Sequence, residues 1–272
     1  GPQYFENGWN GFFRSFSGGL LATCGLTNTG PFAMDGDEVL GVHGRISNTP
    51  AETFHTEEYW DGDEYYIKVK GSVRESSLYA ENMVLNREIT VKLGGLEIKV
   101  TDSFENQGFC ESPFMMFYHM NFGYPVLSPN TKLYIPSEKV IPLNESAKSG
   151  DGLYGSFSKP VKDYKFQCFK HIMPGGRDKI YAALINEEMN FGVYISYPAD
   201  KLPSFDQWKL TGEQEYVVAL EPGISGSEGR ISARDSGSLR MLGVGEKFEV
   251  SYEIGVIKDK KDIDRIKRLI EG

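Results

Sequence analysis

Three features are missing from this sequence of 272 residues, and each absence excludes a class of protein. There is no run of about 18 or more apolar residues, so we expect no transmembrane helix and no place in a membrane. The net charge is −9, and lysine and arginine form no stripe with interleaved aromatic residues, so nucleic-acid binding is not expected. No basic segment followed by an apolar one marks a signal peptide, so we expect a cytoplasmic protein.

Residues that bind metals and nucleotides are also scarce. The three cysteines, Cys24, Cys110 and Cys168, have no CxxC spacing, which indicates reduced thiols rather than a disulfide framework. The four histidines show neither HxH nor HxxxH spacing, so no metal site is expected. The sequence lacks a GxxxxGK[ST] loop and a GxSxG elbow, so we expect no cofactor and no serine esterase.

Alternating apolar and polar residues predict that strands make up most of the chain. Residues 65–73 alternate in this way, and 89–93 and 96–100 do so on either side of Gly94 and Gly95, which predicts a tight hairpin. Further strands are predicted at 114–120, 179–186, 190–197, 214–221, 228–235 and 247–257. Thirty-one glycines and thirteen prolines favour a large antiparallel sandwich over alternating β-α-β units.

The end of the chain has a helical pattern. The predicted helix, Lys260–Glu271, has three isoleucines on one face, Ile263, Ile266 and Ile270, and either Asp259 or Asp262 could cap it. Residues 128–162 are rich in proline, serine, glycine and asparagine, and strand patterns of the same style resume after them. We therefore expect a long loop over the sheet there, inside a single domain that spans residues 1–272.

The stretch Gly41–Glu52 combines a histidine, an arginine, an asparagine and a glutamate without a long apolar run. Burying His43 and Arg45 unpaired would cost several kcal/mol, so these side chains are expected to be solvated, paired or directed at a ligand. Gly44 between them has no side chain and allows a close approach to another strand or to a bound molecule. We interpret the stretch as one wall of a polar pocket; a hydrogen-bonded structural loop is the alternative.

His119 is a candidate for proton transfer. If residues 114–120 form a strand, His119 shares a face with Phe117, and Asn121 extends that face towards the following turn. The ordinary pKa of histidine lies near neutrality, which suits a group that donates or accepts a proton. A structural histidine in the core is the alternative.

Glu221 is the matching carboxylate. It follows the apolar residues 216–220 and precedes Pro222, which ends the strand. A carboxylate at this position lies at the mouth of the sheet, or it is buried with a raised pKa that suits a general base. An exposed glutamate at the end of a strand is the alternative.

Three further residues are candidates for ligand contact. His171 alternates with apolar neighbours, which fits either burial or a pocket. Trp208 and Lys209 are candidate pocket lining, because an aromatic face stacks on the C–H side of a sugar while polar groups bind its hydroxyls. His55 lies beside two glutamates in a stretch that we expect to be a polar loop, and it is expected to be exposed without a special role.

Four segments together resemble the galactose-mutarotase-like, or aldose 1-epimerase, superfamily. They follow one another along most of the chain: GGLLATCGL at 18–26, HGRISNTPA at 43–51, YHMNFGYP at 118–125, and LP…WK…LEP at 202–222. They resemble most a bacterial branch described only as aldose 1-epimerase family or as a domain of unknown function. No single motif is decisive, but the ordered set is specific.

This resemblance implies a large antiparallel β-supersandwich with a sugar site in its concave face. It implies that His119 is the general acid on the ring oxygen and that Glu221 is the general base on the C1 hydroxyl. It assigns sugar binding to His43 and Arg45, and Asp206 is a weak match for the third acidic residue of the superfamily.

The resemblance also implies that several strands are missing. Family members usually begin with strands that precede the segment at 18–26, and we expect this domain to lack them. The sheet would then have an unfilled edge, which favours aggregation or pairing with a second copy in a homo-oligomer.

The predicted function is a cofactor-independent sugar epimerase or mutarotase that acts by acid–base catalysis on a small carbohydrate. Two alternatives stay open at this point. One is a carbohydrate-binding or sensing protein that keeps the pocket without catalysis. The other is a lyase or isomerase that uses the same histidine and glutamate on a modified sugar.

Overall fold

The computed structural model of the chain describes residues 8–16, 18–149 and 153–272. Strands dominate: β1 Ala22–Leu26, β2 Ala33–Asp35, β3 Glu38–Leu40, β4 Thr53–Asp61, β5 Glu64–Ser76, β6 Asn82–Lys92, β7 Glu97–Asn106, β8 Ser112–Pro113, β9 Met115–Phe122, β10 Thr131–Tyr134, β11 Lys139–Pro142, β12 Gln167–Ile172, β13 Lys179–Asn186, β14 Phe191–Pro198, β15 Ser204–Gly212, β16 Glu215–Gly223, β17 Met241–Leu242 and β18 Lys247–Ile257. The helices are α1 Trp9–Ser15, α2 Glu145–Ser149, α3 Arg230–Asp235 and α4 Lys260–Glu271, and Ile46–Asn48 forms a single 3₁₀ turn. In the part of the chain that the structure describes, no helix is long and apolar enough to span a membrane.

Most elements predicted from periodicity are present. The predicted strands 179–186 and 247–257 coincide with β13 and β18, and Gly94 and Gly95 lie between β6 and β7, as the predicted hairpin requires. The predicted helix Lys260–Glu271 is α4, and its cap is Asp259, whose side chain accepts a hydrogen bond from the backbone N–H of Asp262 at 2.9 Å.

Two predictions are wrong. The predicted strand 228–235 is absent, and α3 begins there at Arg230. The backbone N–H of Arg230 donates to the side chain of Asn28 at 3.2 Å, about two hundred residues away along the chain, which satisfies a donor at the start of the helix. Residues 128–162 are not one long loop, because they contain β10, β11 and α2. These elements have four or five residues each, too few for a periodic signal.

The described residues cluster into two compact units. The first comprises those within Gly1–Gly95, Lys99–Tyr118 and Gly223–Ser251, and the second those within Leu96–Ile98, His119–Pro222 and Tyr252–Gly272. A single domain over residues 1–272 that lacks the first strands of its family stays a prediction.

In the first unit, one sheet runs in the order β18, β7, β6, β5, β4, and β1 lies beside β9 in a second sheet. The two layers are joined through Asp102 on β7. Its carboxylate accepts two hydrogen bonds from Arg87 on β6, at 2.8 and 2.6 Å, and one from the hydroxyl of Tyr118 on β9 at 2.8 Å. Arg87 also donates to the hydroxyl of Thr23 on β1 at 2.7 Å. The fully buried carboxylate of Asp102 thus has hydrogen-bond donors from both sheets.

In the second unit, one sheet runs in the order β10, β13, β14, β18 and the other in the order β9, β16, β15, β12, β11. The pairs β10–β13, β13–β14, β14–β18, β11–β12 and β12–β15 are antiparallel. The sheets pack face to face, and the ring of Tyr197 on β14 stacks on that of Phe205 on β15 with 6.1 Å between centroids. On the outer side, α4 packs its three isoleucines against the first of these sheets. The expected class, mostly β with large antiparallel sheets, is confirmed.

We predict that Asp102→Asn lowers the free energy of unfolding by about 3 kcal/mol, because it leaves the guanidinium of Arg87 without its carboxylate. The matched control is Glu105→Gln on the same strand. It removes a long and partly exposed contact of 3.8 Å with Lys247, keeps an amide oxygen that can accept the exposed hydrogen bond of 3.0 Å from Gln107, and should cost less than about 1 kcal/mol. Urea unfolding of both variants measures the difference. Equal midpoints would contradict the role assigned to Asp102.

Candidate active site

The candidate site of the second unit is centred on a buried pair, His119 on β9 and Glu221 on β16. These strands are neighbours in one sheet, and Nε2 of His119 lies 3.0 Å from Oε1 of Glu221. The two side chains are 9% and 5% exposed. Asn121, two residues further along β9, donates a hydrogen bond from its side chain to the backbone carbonyl of His119 at 3.2 Å. The structure thus brings together three of the residues singled out in the sequence.

Burial favours the neutral form of both members of the pair. It raises the pKa of Glu221 well above the ordinary 4.5, and the negative charge of Asp206 raises this pKa further. Burial lowers the pKa of His119 below the ordinary 6.5, and the hydrogen bond with Asn121 opposes that shift only in part. Burial therefore favours a neutral imidazole beside a neutral carboxyl group in this pair.

The register of β12 and β15 decides which other candidates share a face with the pair. Cys168 lies opposite Trp208, and Lys170 lies opposite Asp206. Residues opposite each other, and residues two apart on one strand, point to the same side of a sheet. The ring of Trp208 lies 6.2 Å from that of His119 between centroids, so this side is the side of the pair.

Cys168 is a neighbour of the site that its sequence context does not reveal. Burial raises the pKa of its thiol to about 12, and the carboxyl groups of Glu221 and Asp206 contribute to the shift. A thiol in this environment stays protonated and is a poor nucleophile. Cys168 therefore contributes shape rather than chemistry to this face.

His171 and Lys209 lie on the opposite side of the same sheet, because each is one residue out of phase with the residues that face the pair. His171 is 1% exposed, and its ring nitrogens bond to the side chains of Gln207 at 3.0 Å and Ser137 at 2.7 Å. Burial lowers its pKa to about 4.

Lys209 is equally enclosed. Its ammonium donates to the carbonyl oxygens of Leu153 and Ser156 at 2.9 and 2.8 Å and lies 5.4 Å from the centroid of the Phe157 ring. Burial lowers its pKa to about 8. The structure thus does not bring His171 or Lys209 to the pair, and their contact with a sugar stays a prediction.

The stretch around His43 belongs to the first unit and is described there by itself. The imidazole of His43 accepts a hydrogen bond from the backbone N–H of Gly30 at 3.1 Å, and its ring meets that of Phe117 edge-on with 5.0 Å between centroids. A Cβ atom on Gly44 would lie 2.1 Å from the carbonyl oxygen of Gly25 on β1. The close backbone approach predicted for Gly44 is confirmed, and the approaching group is a strand.

Arg45 is paired with two carboxylates that the sequence analysis did not single out. Its Nη2 atom is hydrogen-bonded to Glu81 and lies 3.7 Å from Oε1 of Glu75. A signal for Glu75 exists in the sequence, because it lies two residues after Val73 on strand β5 and so shares the face of an apolar residue. An acidic residue at such a position requires a buried partner.

Within the described ranges, no group of three or more His, Cys, Asp or Glu side chains is arranged to hold a metal ion. His55 is exposed, as predicted, but it lies on strand β4 rather than in the polar loop expected there.

With the geometry in place, the chain can be compared with known proteins. A family model described as Domain of unknown function (DUF4432) matches residues 1–256. Among curated proteins, none matches.

Several solved structures share the fold. A candidate aldose 1-epimerase from Klebsiella pneumoniae has a TM-score of 0.88 at 24% identity; the match covers 93% of this chain, which spans 66% of that protein. A galactose mutarotase-like protein from Clostridium acetobutylicum has a TM-score of 0.59 at 16% identity, with 87% and 78% coverage. A candidate aldose 1-epimerase from Escherichia coli K12 has a TM-score of 0.51 at 14% identity, with 83% and 78% coverage. These similarities confirm the mutarotase-like fold.

We predict that His119 titrates below pH 6.5 in the folded protein, because desolvation disfavours the imidazolium more than the carboxyl group stabilises it. Carbon-detected NMR of the imidazole during a pH titration measures this, with the signal assigned through His119→Gln. Glu221→Gln should leave the midpoint below 6.5, since burial is the main cause of the shift. A midpoint above 6.5 that falls in Glu221→Gln would show an ion pair instead.

Proposed function

The chain belongs to the DUF4432 family, and we propose that it is a cofactor-independent aldose 1-epimerase that interconverts the anomers of a sugar by acid–base catalysis. The observation that carries the proposal is the buried contact of 3.0 Å between His119 and Glu221 on adjacent strands. Buried, perturbed and mutually bonded acid–base groups are typical of catalytic sites.

The number of protons that His119 and Glu221 hold together fits the reaction. Anomer exchange needs one group that gives a proton to the ring oxygen and one that takes a proton from the C1 hydroxyl. An imidazolium with a carboxylate contains as many protons as the neutral pair, and the two forms differ by one proton transfer along the existing hydrogen bond. One proton transfer from Glu221 to His119 therefore gives the form that the reaction requires, without an external acid or base.

The reaction follows from these two groups. Glu221 accepts the proton of the C1 hydroxyl while His119 protonates the ring oxygen, and the bond between C1 and the ring oxygen breaks to give an open-chain aldehyde. Rotation about the bond from C1 to C2 turns the carbonyl over. The reverse proton transfers then close the ring on the other face of C1 and restore the pair.

Two neighbours support the same role. The ring of Trp208 presents an apolar surface 6.2 Å from His119, where the C–H face of a sugar ring could stack. The negative charge of Asp206 adds to the effect of burial in raising the pKa of Glu221, which favours a carboxyl group that can hold the proton taken from the C1 hydroxyl. The names of the structural neighbours, aldose 1-epimerase and galactose mutarotase-like, agree with this chemistry.

We predict that His119→Ala and Glu221→Gln each lower the rate of anomer exchange by about 10²- to 10⁴-fold, the usual contribution of a positioned acid or base. Exchange NMR on a panel of free aldoses measures the rate. His55→Ala and Glu215→Gln, at exposed positions of β4 and β16, are the matched controls and should retain wild-type rates.

Two outcomes would contradict the proposal. Wild-type exchange in both site variants would exclude the pair as the catalytic groups. Sugar-induced shifts without exchange in the wild type would indicate a carbohydrate-binding protein that performs no chemistry.

The pH dependence gives a second test. The active form of the pair carries one shared proton in addition to the N–H of the neutral imidazole. Activity therefore falls at low pH, when His119 gains a further proton, and at high pH, when Glu221 loses its proton. Because burial lowers the pKa of His119 and raises that of Glu221, the acid limb is expected below pH 6.5 and the alkaline limb well above pH 4.5. After subtraction of the uncatalysed rate, a profile that rises with pH through 6.5 would contradict this assignment.

A further inference from the structure

The strand β4 is an open edge of the larger sheet within the described part of the chain. The two large sheets end at β1, β4, β10 and β11. The edge of β1 is covered, because the N–H of Gly25 donates to the carbonyl of His43 at 2.9 Å, and the edge of β10 is covered, because the N–H of Leu133 donates to the carbonyl of Gly155 at 2.9 Å. The edge of β11 is four residues long and ends at Pro142, which has no N–H. The strand β4 has nine residues without proline, and its only ladder in the described chain is the one with β5.

Every second residue of β4 directs its backbone N–H and C=O at this open edge. The hairpin closes with Asp61 opposite Glu64, and a two-residue turn of this kind is closed by a hydrogen-bonded pair. Bonded and non-bonded pairs alternate along an antiparallel ladder, so the odd-numbered residues of β4 bond to β5. On the far side of β5, the carbonyl of Tyr65 accepts the N–H of Leu93 at 2.8 Å, which fits the same alternation. The residues whose backbone groups face outwards are therefore Phe54, Thr56, Glu58 and Trp60.

Two large aromatic side chains lie exposed along the open edge. Phe54 is 74% exposed and Trp60 is 68% exposed, and both are even-numbered, so they lie on the same face of the strand. The ring of Trp60 meets that of Tyr65 edge-on with 5.0 Å between centroids, which holds it on this face. Aromatic side chains are enriched at protein interfaces, and unpaired backbone groups beside them are a template for strand addition.

We propose that β4 pairs antiparallel with β4 of a second copy of this chain, about a two-fold axis at Glu57. The two sheets then continue into one another through the first units. The inference goes beyond the proposed function, because it assigns an interaction surface and a partner and uses no residue of the second unit. A closed two-fold dimer is the commonest assembly of soluble oligomers, and an axis normal to the sheet makes the strand pairing antiparallel.

The backbone of β4 is complementary to itself in this register. Antiparallel pairing about Glu57 places Phe54 opposite Trp60 of the second copy and Thr56 opposite Glu58, so outward-facing residues meet only outward-facing residues. These pairs and their symmetry mates give about eight hydrogen bonds between the two copies. The whole length of the strand is then paired.

The side chains that meet are complementary as well. Each copy contributes one contact of Phe54 with Trp60, an aromatic pair that is worth more than its buried area alone. The hydroxyl of Thr56 meets the carboxylate of Glu58, one oxygen of which already accepts the hydroxyl of Tyr65 at 2.6 Å. A hydroxyl donor opposite a carboxylate gives this acidic edge a partner without a second charge.

The axis residue Glu57 meets its own copy, which places like charges opposite each other. Each carboxylate lies 3.1 Å from Nζ of Lys70 in its own chain, so part of the repulsion is compensated. The remaining cost of one pair of like charges is smaller than the contribution of two aromatic pairs.

Neighbouring registers pair less of the strand. An axis at Thr56 sets Phe54 against the carboxylate of Glu58 and leaves Trp60 beyond the strand of the second copy. An axis at Glu58 sets this carboxylate against its own copy and places Phe54 opposite the turn at Gly62. Both registers lose the two aromatic contacts and keep a carboxylate in an unfavourable position, so the axis at Glu57 is favoured.

Sedimentation velocity of the full chain between about 1 and 200 μM tests the dimer, since interfaces of this limited size are weak and reversible. We expect a shift from monomer to dimer over this range. Phe54→Ala and Trp60→Ala should each weaken the dimer at least about tenfold, because each removes both symmetry-related aromatic pairs. Phe109→Ala, which removes a side chain that is 98% exposed in the same unit, is the matched control and should leave the dimer unchanged. A monomer at every concentration, or a dimer that both strand variants leave intact, would overturn the proposal.

The register has its own test in Glu57→Gln. This variant removes the repulsion at the axis and should tighten the dimer about two- to fivefold, whereas a purely structural role of Glu57 predicts no change or a weaker dimer. Glu88→Gln is the matched control, because Glu88 lies 3.6 Å from the same Lys70 but on β6, away from the open edge. A weaker dimer in Glu57→Gln would place the axis elsewhere and overturn the register.

Amide hydrogen exchange identifies the paired edge directly. At low protein concentration the outward-facing N–H groups of β4 should exchange fast, whereas those of Glu57 and Tyr59 are protected by β5. At high concentration the outward-facing groups should slow at least about tenfold, with the protected groups unchanged. Protection that appears at another strand instead would reveal a dimer through a different surface and overturn the proposal.

Discussion

Carboxylates enclosed by the sheets set the chemistry of both units, because an ionised carboxylate loses several kcal/mol of solvation when it leaves water. Each one is compensated differently. Asp102 accepts hydrogen bonds from the guanidinium of Arg87 and the hydroxyl of Tyr118, whereas Glu75 accepts a backbone N–H and a hydroxyl beside Arg45. For Glu221 the neighbour is an imidazole that burial keeps neutral, so the compensation is a proton on the carboxyl group itself. Burial thus favours a proton on Glu221, the carboxyl group that contacts His119.

The alternation of strand residues determines which side chains can reach that proton. Trp208 faces the pair. Lys209, the next residue, points to the other side of the sheet, where its ammonium group is hydrogen-bonded to backbone carbonyls. A shift of one residue between β12 and β15 would exchange these roles. The chemistry of the face therefore depends on strand register as much as on residue identity.

This alternation also explains how far the sequence alone could be interpreted. Long strands such as β13 and β18 and the amphipathic helix α4 carry many periods of their pattern, so their bounds were predicted closely. The helix α3 could not be predicted, because its first N–H is bonded by Asn28 from a remote segment. Asn121, His119 and Glu221 were identified by residue type and by resemblance, but their contact arises from the pairing of β9 with β16, which no local pattern encodes. His171 has a residue type suited to catalysis, but the parity of β12 places it on the opposite side of the sheet, where it is bonded to Gln207.

The crossing of Gly44 over Gly25 has a consequence for how this protein can change over time. A side chain at Gly44 would collide with the carbonyl of Gly25, and one at Gly25 would lie 2.3 Å from the carbonyl of Met115. Both glycines also have positive φ, at 73° and 133°. A single substitution is therefore not tolerated at either glycine. The backbone that carries His43 and Arg45 on either side of Gly44 is fixed as a result. Divergence of this segment therefore has to proceed by exchanging the side chains at positions 43 and 45 on a fixed backbone, because the crossing itself cannot be remodelled one residue at a time.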